Sequence, residues 1–399
     1  MPTAARTPQL RRSNLALVLD RLRRGPCSRS QLVGATGLTR SAIAGLVGEL
    51  VDLGLVVEEP SSSDGRPGRP SPVVRIDGES VGALAIEIFV DEIVVAIVAF
   101  DGSVVTTLRR DRKRDRVELD ATIADIATLL GELRRLQGDD DGRRLVGCGV
   151  SVPGLVRDRD GVVVAAPNLG WVDVDLASAL RSACDDDLPI SVGNDADLGA
   201  LAELRFGAGV GSGQMVFVSG EVGVGGGLVV AGSPVVGGAG FAGEIGHVPV
   251  NPDGRQCRCG SIGCWETEVG ERALLERAGL DPDGGRAAVD DLLRRAAIGE
   301  PGIVAALDDE ARWLAIGIAG LVNVLDPDTV VLGGLFARIL PSIRATLDEE
   351  LARRRYRAAQ REVAVVGAAL GSAAISVGAA ELAFGALLSD PARVMATSG

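Results

Sequence analysis

One stretch limits what this chain can fold into more than any other: residues 243–266, GEIGHVPVNPDGRQCRCGSIGCWE. It holds the protein's only histidine, His247, and three of its six cysteines, Cys257, Cys259 and Cys264, in the spacing H-x9-C-x-C-x4-C. One imidazole and three thiolates make a four-ligand set for tetrahedral zinc, and a set that leaves no position vacant is of the structural kind. Asn251, Pro252, Asp253 and Gly254 are turn formers placed to fold His247 back over the cysteines. Glu244 and Glu266 bracket the cluster, so a metal that orders the loop also aims two carboxylates. Two blander readings compete. A disulfide with one cysteine left over is disfavoured in a reducing compartment, and a packed histidine without a ligand role is disfavoured by the CxC…C beside it.

GEIGH followed by CxCGxxGCxE resembles the signature of the ROK family, named for repressors, open reading frames and kinases. The resemblance implies that the histidine and cysteines hold a structural Zn2+, while the other ring nitrogen of His247, with Glu244 and Glu266, binds sugar hydroxyls. Kinase or repressor is decided elsewhere in the chain.

At 399 residues the chain exceeds one ordinary core, and two or three domains are expected. No charge-free apolar run reaches spanning length, and the N-terminus opens on arginines without the apolar centre of an export signal. A cytoplasmic protein with no membrane partner is expected. Charge is uneven. Residues 1–75 carry eleven arginines against six acidic residues, a net of +5, which leaves −18 on the remainder of a chain whose total is −13. A basic head on an acidic body points the head at nucleic acid. Cys27, Cys148 and Cys184 stand in apolar surroundings and read as small buried residues.

From Ser13, apolar residues recur at helical spacing (Leu15, Val18, Leu19, Leu22) and stop at Gly25-Pro26. Ser28 is placed to cap a short helix ended by the Gly34 to Gly37 stretch, and Thr39 to cap a third whose Ile43, Leu46, Val47 and Leu50 face inward. Helix, glycine turn, helix predicts a helix-turn-helix, and the alternating LVVEE and PVVRI predict the strands of a wing. Residues 1–76 are therefore expected to form a winged helix-turn-helix DNA-binding domain. Its third helix would enter the major groove with Thr39, Arg40 and Ser41 near the base edges, while Arg11, Arg12 and Arg29 hold phosphates. Arg66 and Arg69 stand in SSSDGRPGRPS, an extended arm suited to a minor groove, although the same composition fits a solvated linker. One small head grips a half-site weakly, so a homodimer or dimer of dimers on a roughly palindromic double-stranded DNA operator is expected.

Strand pairs followed by helices recur in two halves, VGALAIEIFVDEIVVAIVAFDGSVV and QMVFVSGEVGVGGGLVV, and predict an α/β body of two related lobes. The ROK resemblance makes these actin-like, ribonuclease-H-like lobes with a sugar in the cleft. Lobe 1 is expected over 77–193, completed by a C-terminal helix at about 371–399, and lobe 2 over 194–370 with the zinc and sugar site. The resemblance also assigns sugar ligands: Asn194 and Asp195 in VGNDAD, Asn168 in PNLGW, Gly154 in SVPG, and Glu244, His247 and Glu266. Taken alone, NDAD reads as a helix cap. The nucleotide side departs from the family pattern. Where ROK kinases carry D-x-G-G-T, whose glycines let backbone amides approach phosphates, this chain has Glu87, Ile88, Phe89, Val90 and Asp91. Where they carry G-T-G-x-G-G-G, Glu221 and Val222 precede Gly223, Gly225, Gly226 and Gly227, and only LGG at Leu332 to Gly334 matches the adenosine side. Bulk and negative charge in both phosphate turns argue against ATP.

These readings converge on a sugar-responsive transcriptional repressor with a monosaccharide or derivative as effector and no catalytic residue, Asp195 serving as a ligand at the relic base position. The competing class is an ATP-dependent sugar kinase with a regulatory head, which Asp195 and LGG support. The arginine-rich RRRYRAAQR around Tyr356 reads as a solvated helix face.

Overall fold

Helix α1 (Thr7–Arg23) buries Leu15, Val18, Leu19 and Leu22 as their spacing predicts, but it starts ahead of Ser13. The first turn takes in Pro8 without loss, because its N–H would have had no helical partner. The computed structural model describes residues 7–60, 72–112, 117–137, 142–157, 159–184, 188–356 and 362–397. After the short strand β1 (Cys27–Ser28), α2 (Arg29–Thr36) opens on a capping box. The Ser28 hydroxyl accepts from the Gln31 N–H at 3.3 Å and the Gln31 side chain accepts from the Ser28 N–H at 2.7 Å. Thr39 caps α3 (Arg40–Asp52) by accepting from the Ala42 N–H at 3.2 Å, and Ile43, Leu46, Val47 and Leu50 are buried. Strands β2 (Val56–Glu59) and β3 (Val73–Ile76) pair antiparallel, with β1 on the other edge of β3. This is a winged helix-turn-helix.

The body opens with β4 (Val81–Ile88), β5 (Glu92–Ala99) and β6 (Val104–Asp111), then α4 (Leu119–Gln137) and β7 (Arg144–Val152). Strands β8 (Leu155–Arg157), β9 (Val162–Ala166) and β10 (Trp171–Val174) form a small separate sheet. After α5 (Leu176–Leu180), β11 (Ile190–Asn194) returns to the main sheet, whose order is β11-β7-β4-β5-β6. Helix α6 (Asp195–Phe206) leads into β12 (Met215–Gly220), β13 (Val224–Val230) and β14 (Ser233–Pro234). Helices α7 (Trp265–Val269), α8 (Glu271–Arg277), α9 (Gly285–Ala297) and α10 (Pro301–Leu325) precede β15 (Thr329–Gly333), α11 (Gly334–Arg354) and β16 (Ala364–Gly367). The second sheet runs β14-β13-β12-β15-β16. Each sheet thus has an antiparallel trio extended by two parallel strands in the same order, which makes the two lobes repeats of one plan. Strands β4 and β5 are buried along their whole length, as expected where both faces are covered, whereas the edge strand β6 is polar and partly exposed.

The alanine-rich tail supplies α12 (Ala374–Ala383), α13 (Gly385–Ser389) and α14 (Pro391–Thr397). Helix α12 packs on β4 and β7 and against α6. Its small residues are a packing requirement: a side-chain carbon at Gly378 would collide with the Leu198 carbonyl, and one at Gly149 of β7 with the Ala379 carbonyl. No helix among the described residues is long and apolar enough to cross a membrane.

The junction of head and body was not anticipated. One hydrophobic cluster runs from Leu15, Leu46 and Val74 of the head into Ala83, Leu198 and Phe384 of the body. At its centre the Arg23 side chain, 1% exposed, pairs with Glu381 of α12, 3% exposed. The guanidinium carbon also lies 4.4 Å from the Phe100 ring centroid, 5.5 Å from Phe206 and 5.3 Å from Phe384. Nε and Nη1 of Arg23 have no acceptor, so the three rings provide the remaining electrostatic compensation. Nearby, Arg205 at the end of α6 donates to Asp20 of α1 at 2.8 Å.

Candidate functional site

Between β14 and α7 the chain builds the loop that dominates its sequence. A 3-10 turn over Ile245–His247 presents the imidazole, and the Gly254 N–H closes a turn onto the Asn251 carbonyl at 3.0 Å. Bridges from Pro249 to Cys264 and from Gln256 to Ile262 draw the two arms together. Gly263 has φ 72°, and a side-chain carbon there would collide with the Asn251 carbonyl. The ligand atoms of His247, Cys257, Cys259 and Cys264 consequently lie within 4.8 Å of one another. Cys259 Sγ and Cys264 Sγ are 3.7 Å apart, as are Cys257 Sγ and His247 Nδ1. A tetrahedron with metal–sulfur bonds of ~2.3 Å has edges of about 3.8 Å, so the four residues could hold a metal ion with little rearrangement. Burial raises Cys257 and Cys264, while at Cys259 hydrogen bonds centred on Ser261 outweigh burial and bring the thiol down to about 7. Three such sulfurs ionise together only beside a cation. With Nδ1 turned to the thiols, Nε2 faces the cleft, 3.8 Å from Glu244 Oε2.

Gly154, Asn168, Asn194, Asp195, Glu244, His247 and Glu266 all line one cavity of about 370 Å3 between the lobes. Asn194 is a helix cap as well as a wall residue. Its Oδ1 accepts from the N–H groups of Ala196 (2.9 Å) and Asp197 (3.1 Å), and its Nδ2 donates to the Gly154 carbonyl at 2.9 Å. Burial raises Asp195 to about 6, with the Glu244 charge adding to it, and raises Asp197 to about 7 with help from Asp195 and Glu244. Glu244 is itself raised by burial, against the pull of His247. A polyol can satisfy such desolvated carboxylates with several hydroxyl donors at once. Two residues here were missed by the sequence reading. Asp197, one helical turn past Asn194, feels the charges of Asp195 and Glu244 without lining the cavity, and Arg258 stands between two cysteines. Arg258 lines the cavity and donates through Nη1 to Asn168 Oδ1 at 3.0 Å, bridging the lobes.

The ROK family profile matches residues 83–385, and the MarR family profile matches residues 16–67. This chain belongs to the ROK family. It is 31% identical over 263 residues to the Xylose repressor of Bacillus subtilis (strain 168), a match over 65% of this chain and 66% of the relative, just under two thirds of that relative's length. A solved ROK family transcriptional regulator, a homolog of the E. coli MLC protein, superposes with a TM-score of 0.79 at 23% identity over 98% of this chain and 99% of that one. A ROK glucokinase from Streptomyces griseus, solved with glucose and AMPPNP, superposes with a TM-score of 0.65 at 28% identity over 75% of this chain and 98% of that one.

The positions of the ROK phosphate turns are filled. Glu87, buried at the end of β4, accepts from the Ser376 hydroxyl of α12, and burial raises it to about 7. Glu221 is raised to about 8 by burial and by the charges of Asp195 and Glu271. Across the cleft, Arg286 of α9 donates to Glu92 of β5 at 2.6 Å, and Arg109 reaches the same carboxylate at 3.4 Å. The cavity left on this side is about 210 Å3. The surviving glycines have a different explanation from the one their motif suggests. Gly225, Gly226 and Gly227 lie within strand β13, not in a loop. A side-chain carbon at Gly225 would sit 2.7 Å from Ala196 Cβ, and at Gly226 and Gly227 it would collide with Ile245 and Ala200. They serve packing of β13 against α6 and the GEIGH turn, which does not depend on a phosphate.

In the head, Thr39, Arg40 and Ser41 are exposed at the start of α3. Arg29 makes a two-pronged bond to Glu58 of the wing (2.7 and 2.9 Å), Arg11 pairs with Glu49, and Arg12 pairs with Asp390 of the body at 3.0 Å. A phosphate has to compete with those carboxylates. Arg66 and Arg69 lie outside the described residues. Helix α11 ends at Arg354, whose neighbours Glu349 and Glu350 pair with Arg353 and Arg354. Tyr356 therefore lies past the helix, Arg353 and Arg354 stand on its last turn, and residues 357–361 of the run lie outside the described residues.

Proposed function

We propose that the chain is a sugar-responsive transcriptional repressor that uses its winged head on a roughly palindromic operator and its interlobe cleft for a monosaccharide or derivative. The observation that carries this reading is the contrast within the cleft: seven hydrogen-bonding positions converge on one cavity, while bulky and acidic side chains, Phe89, Asp91 and Glu221, stand at the positions of the phosphate turns. The repressor name of the Bacillus relative and the glucose in the Streptomyces structure support it. Zn2+ on His247 Nδ1 and the three thiolates would supply a rigid clamp at neutral pH. His247 would then offer Nε2–H to a sugar oxygen, while Glu244, Glu266 and Asp195 accept from hydroxyls.

Coupling to DNA would run through α6. Its first turn, at Asn194 and Asp195, borders the cavity, and its last residues Arg205 and Phe206 contact Asp20 and Arg23 of α1, roughly 18 Å away along the axis. A lobe rotation that moves α6 would move the head, and in a homodimer the spacing of the two heads. A sugar that differs by ~1–3 kcal/mol in affinity for the two arrangements suffices.

The test is fluorescence anisotropy on operator-length DNA with a panel of sugars. Sugars that raise the melting temperature should lower DNA affinity about tenfold, and Glu244→Ala should remove the effect. A kinase reading has one observation behind it, an Asp195 held near 6 beside the cavity, where a base could act. ATP-dependent phosphorylation of a hexose that disappears in Asp195→Ala would replace the repressor reading with that one.

A further inference from the structure

The cavity that holds the seven sugar-facing residues continues past them. A second cavity of about 500 Å3 shares its wall, with Val90, Asn168, Val222, Gly223, Arg258 and Glu266 lining both. Residue 223 stands on that shared wall and has no side chain. A carbon there would stand 3.0 Å from Glu266 Oε2 and 3.5 Å from Asn168 Nδ2, filling the gap that these three residues frame. The far side of the second cavity is polar, with Arg255, Gln256, Thr267, Arg272 and Asp283 contributing donors and acceptors. Arg255 and Arg272 are neutralised there by Glu276, and Arg272 also by Asp283. Arg258 differs. Its guanidinium lies over the boundary of the two cavities, held by the neutral Asn168 oxygen at 3.0 Å, and it forms no ion pair among the described residues. A guanidinium has five N–H donors in a planar fork, and a single neutral acceptor leaves most of them for a ligand.

We propose that the effector has two rings: a disaccharide whose first ring sits among Asp195, Glu244, His247 and Glu266, and whose second ring lies in the adjoining cavity under Arg258. This rests on the sugar reading above and extends it. The charges that line the second cavity cancel, which suits a neutral, hydroxyl-rich ring better than a phosphate. The two cavities together have the size of a site for a ligand well beyond one pyranose. Arg258 acts as the specificity-determining residue. It meets the oxygens between and beyond the rings, and the metal-ligand loop keeps it in place, since Cys257 and Cys259 flank it.

The experiment is titration calorimetry on the full chain with glucose, xylose and galactose, with cellobiose, maltose, xylobiose and lactose, and with glucose 6-phosphate. At least one disaccharide should bind about tenfold or more tightly than its component monosaccharides. Arg258→Ala, checked for retained metal content, should cost disaccharide affinity about tenfold more than monosaccharide affinity and so erase that margin. Gly223→Ala, which thickens the shared wall without touching the loop, should do the same and serves if the first variant misfolds. The proposal is overturned if a monosaccharide binds as tightly as every disaccharide, if glucose 6-phosphate binds best, or if both variants weaken one-ring and two-ring sugars equally. Absence of heat with every sugar would instead overturn the sugar reading on which it stands.

Discussion

The two halves of the interlobe cleft have different builders: the β11–α6 junction and the loop between β14 and α7 border the larger cavity, while the equivalent β4–β5 and β12–β13 turns of the two lobes border one narrowed by its own side chains. On the sugar side, Asn194, Asp195, Glu244, His247 and Glu266 face about 370 Å3 of space. On the other side, Glu87 is turned inward to Ser376, Glu221 lines the cavity wall, and Arg286 reaches across to Glu92, leaving about 210 Å3. The lesson is that the fold does not depend on what this half binds: β13 and α6 keep their packing whether or not a phosphate is present. The halves differ in a second respect. The sugar half meets the head through α6, which ends against Arg23, whereas the other half meets it through α12, which carries Ser376 toward Glu87 and Glu381 toward Arg23.

The comparison can be broken most decisively at the sugar half. Glu244→Ala combined with Glu266→Ala should weaken sugar binding at least ~100-fold, about 2.7 kcal/mol, by calorimetry. A nucleotide that still bound this variant as well as the parent binds sugar would mean the wrong half had been taken as the open one. Next in size is Arg23→Met, which should leave sugar affinity within about twofold but cut the sugar-induced loss of DNA affinity roughly tenfold. Because it strands Glu381, the double variant Arg23→Met, Glu381→Met should recover the stability lost by the single one, and unchanged sugar response in both would remove α6 as the connection. Rebuilding the closed half is a smaller effect. Phe89→Gly, Val90→Gly and Asp91→Thr with Glu221→Gly and Val222→Thr should raise affinity for an ATP analogue about tenfold while sugar affinity stays constant.

The smallest effect concerns protons. Glu221, among Asp195, Glu271, Asp91 and Arg286, keeps its proton in the native state to about pH 8, whereas its ordinary value is 4.5. Between those values the native state binds more protons than the unfolded one, so stability falls as pH rises through that window. Glu221→Gln should therefore melt a few degrees higher than the parent near pH 8 and nearly with it near pH 5. Equal pH profiles for the two proteins would show that Glu221 does not hold its proton in this half of the cleft.

Much of this was legible from residue order. The helix caps at Ser28 and Thr39, the wing strands and the metal-ligand loop are local features, each set by side chains within a few residues of the backbone groups they satisfy. The seven cavity residues were also recognisable, through short motifs. What those motifs misattributed was the reason for Gly225, Gly226 and Gly227, since a glycine required by helix packing and one required by a phosphate are identical in a string of letters.

By itself, then, the sequence determined the element types, the repeat of strand pairs and the ligand set of His247 with three cysteines, because all of these follow from spacing along the chain. Only the tertiary structure decided that Arg23 meets Glu381 across 358 positions, that Arg258 meets Asn168 across 90, and that the cavity beside Glu266 shares its wall with another. Contacts of that kind arise where lobes and head close on one another, and their energies depend on burial and on the partner's charge, neither of which exists until the chain has folded.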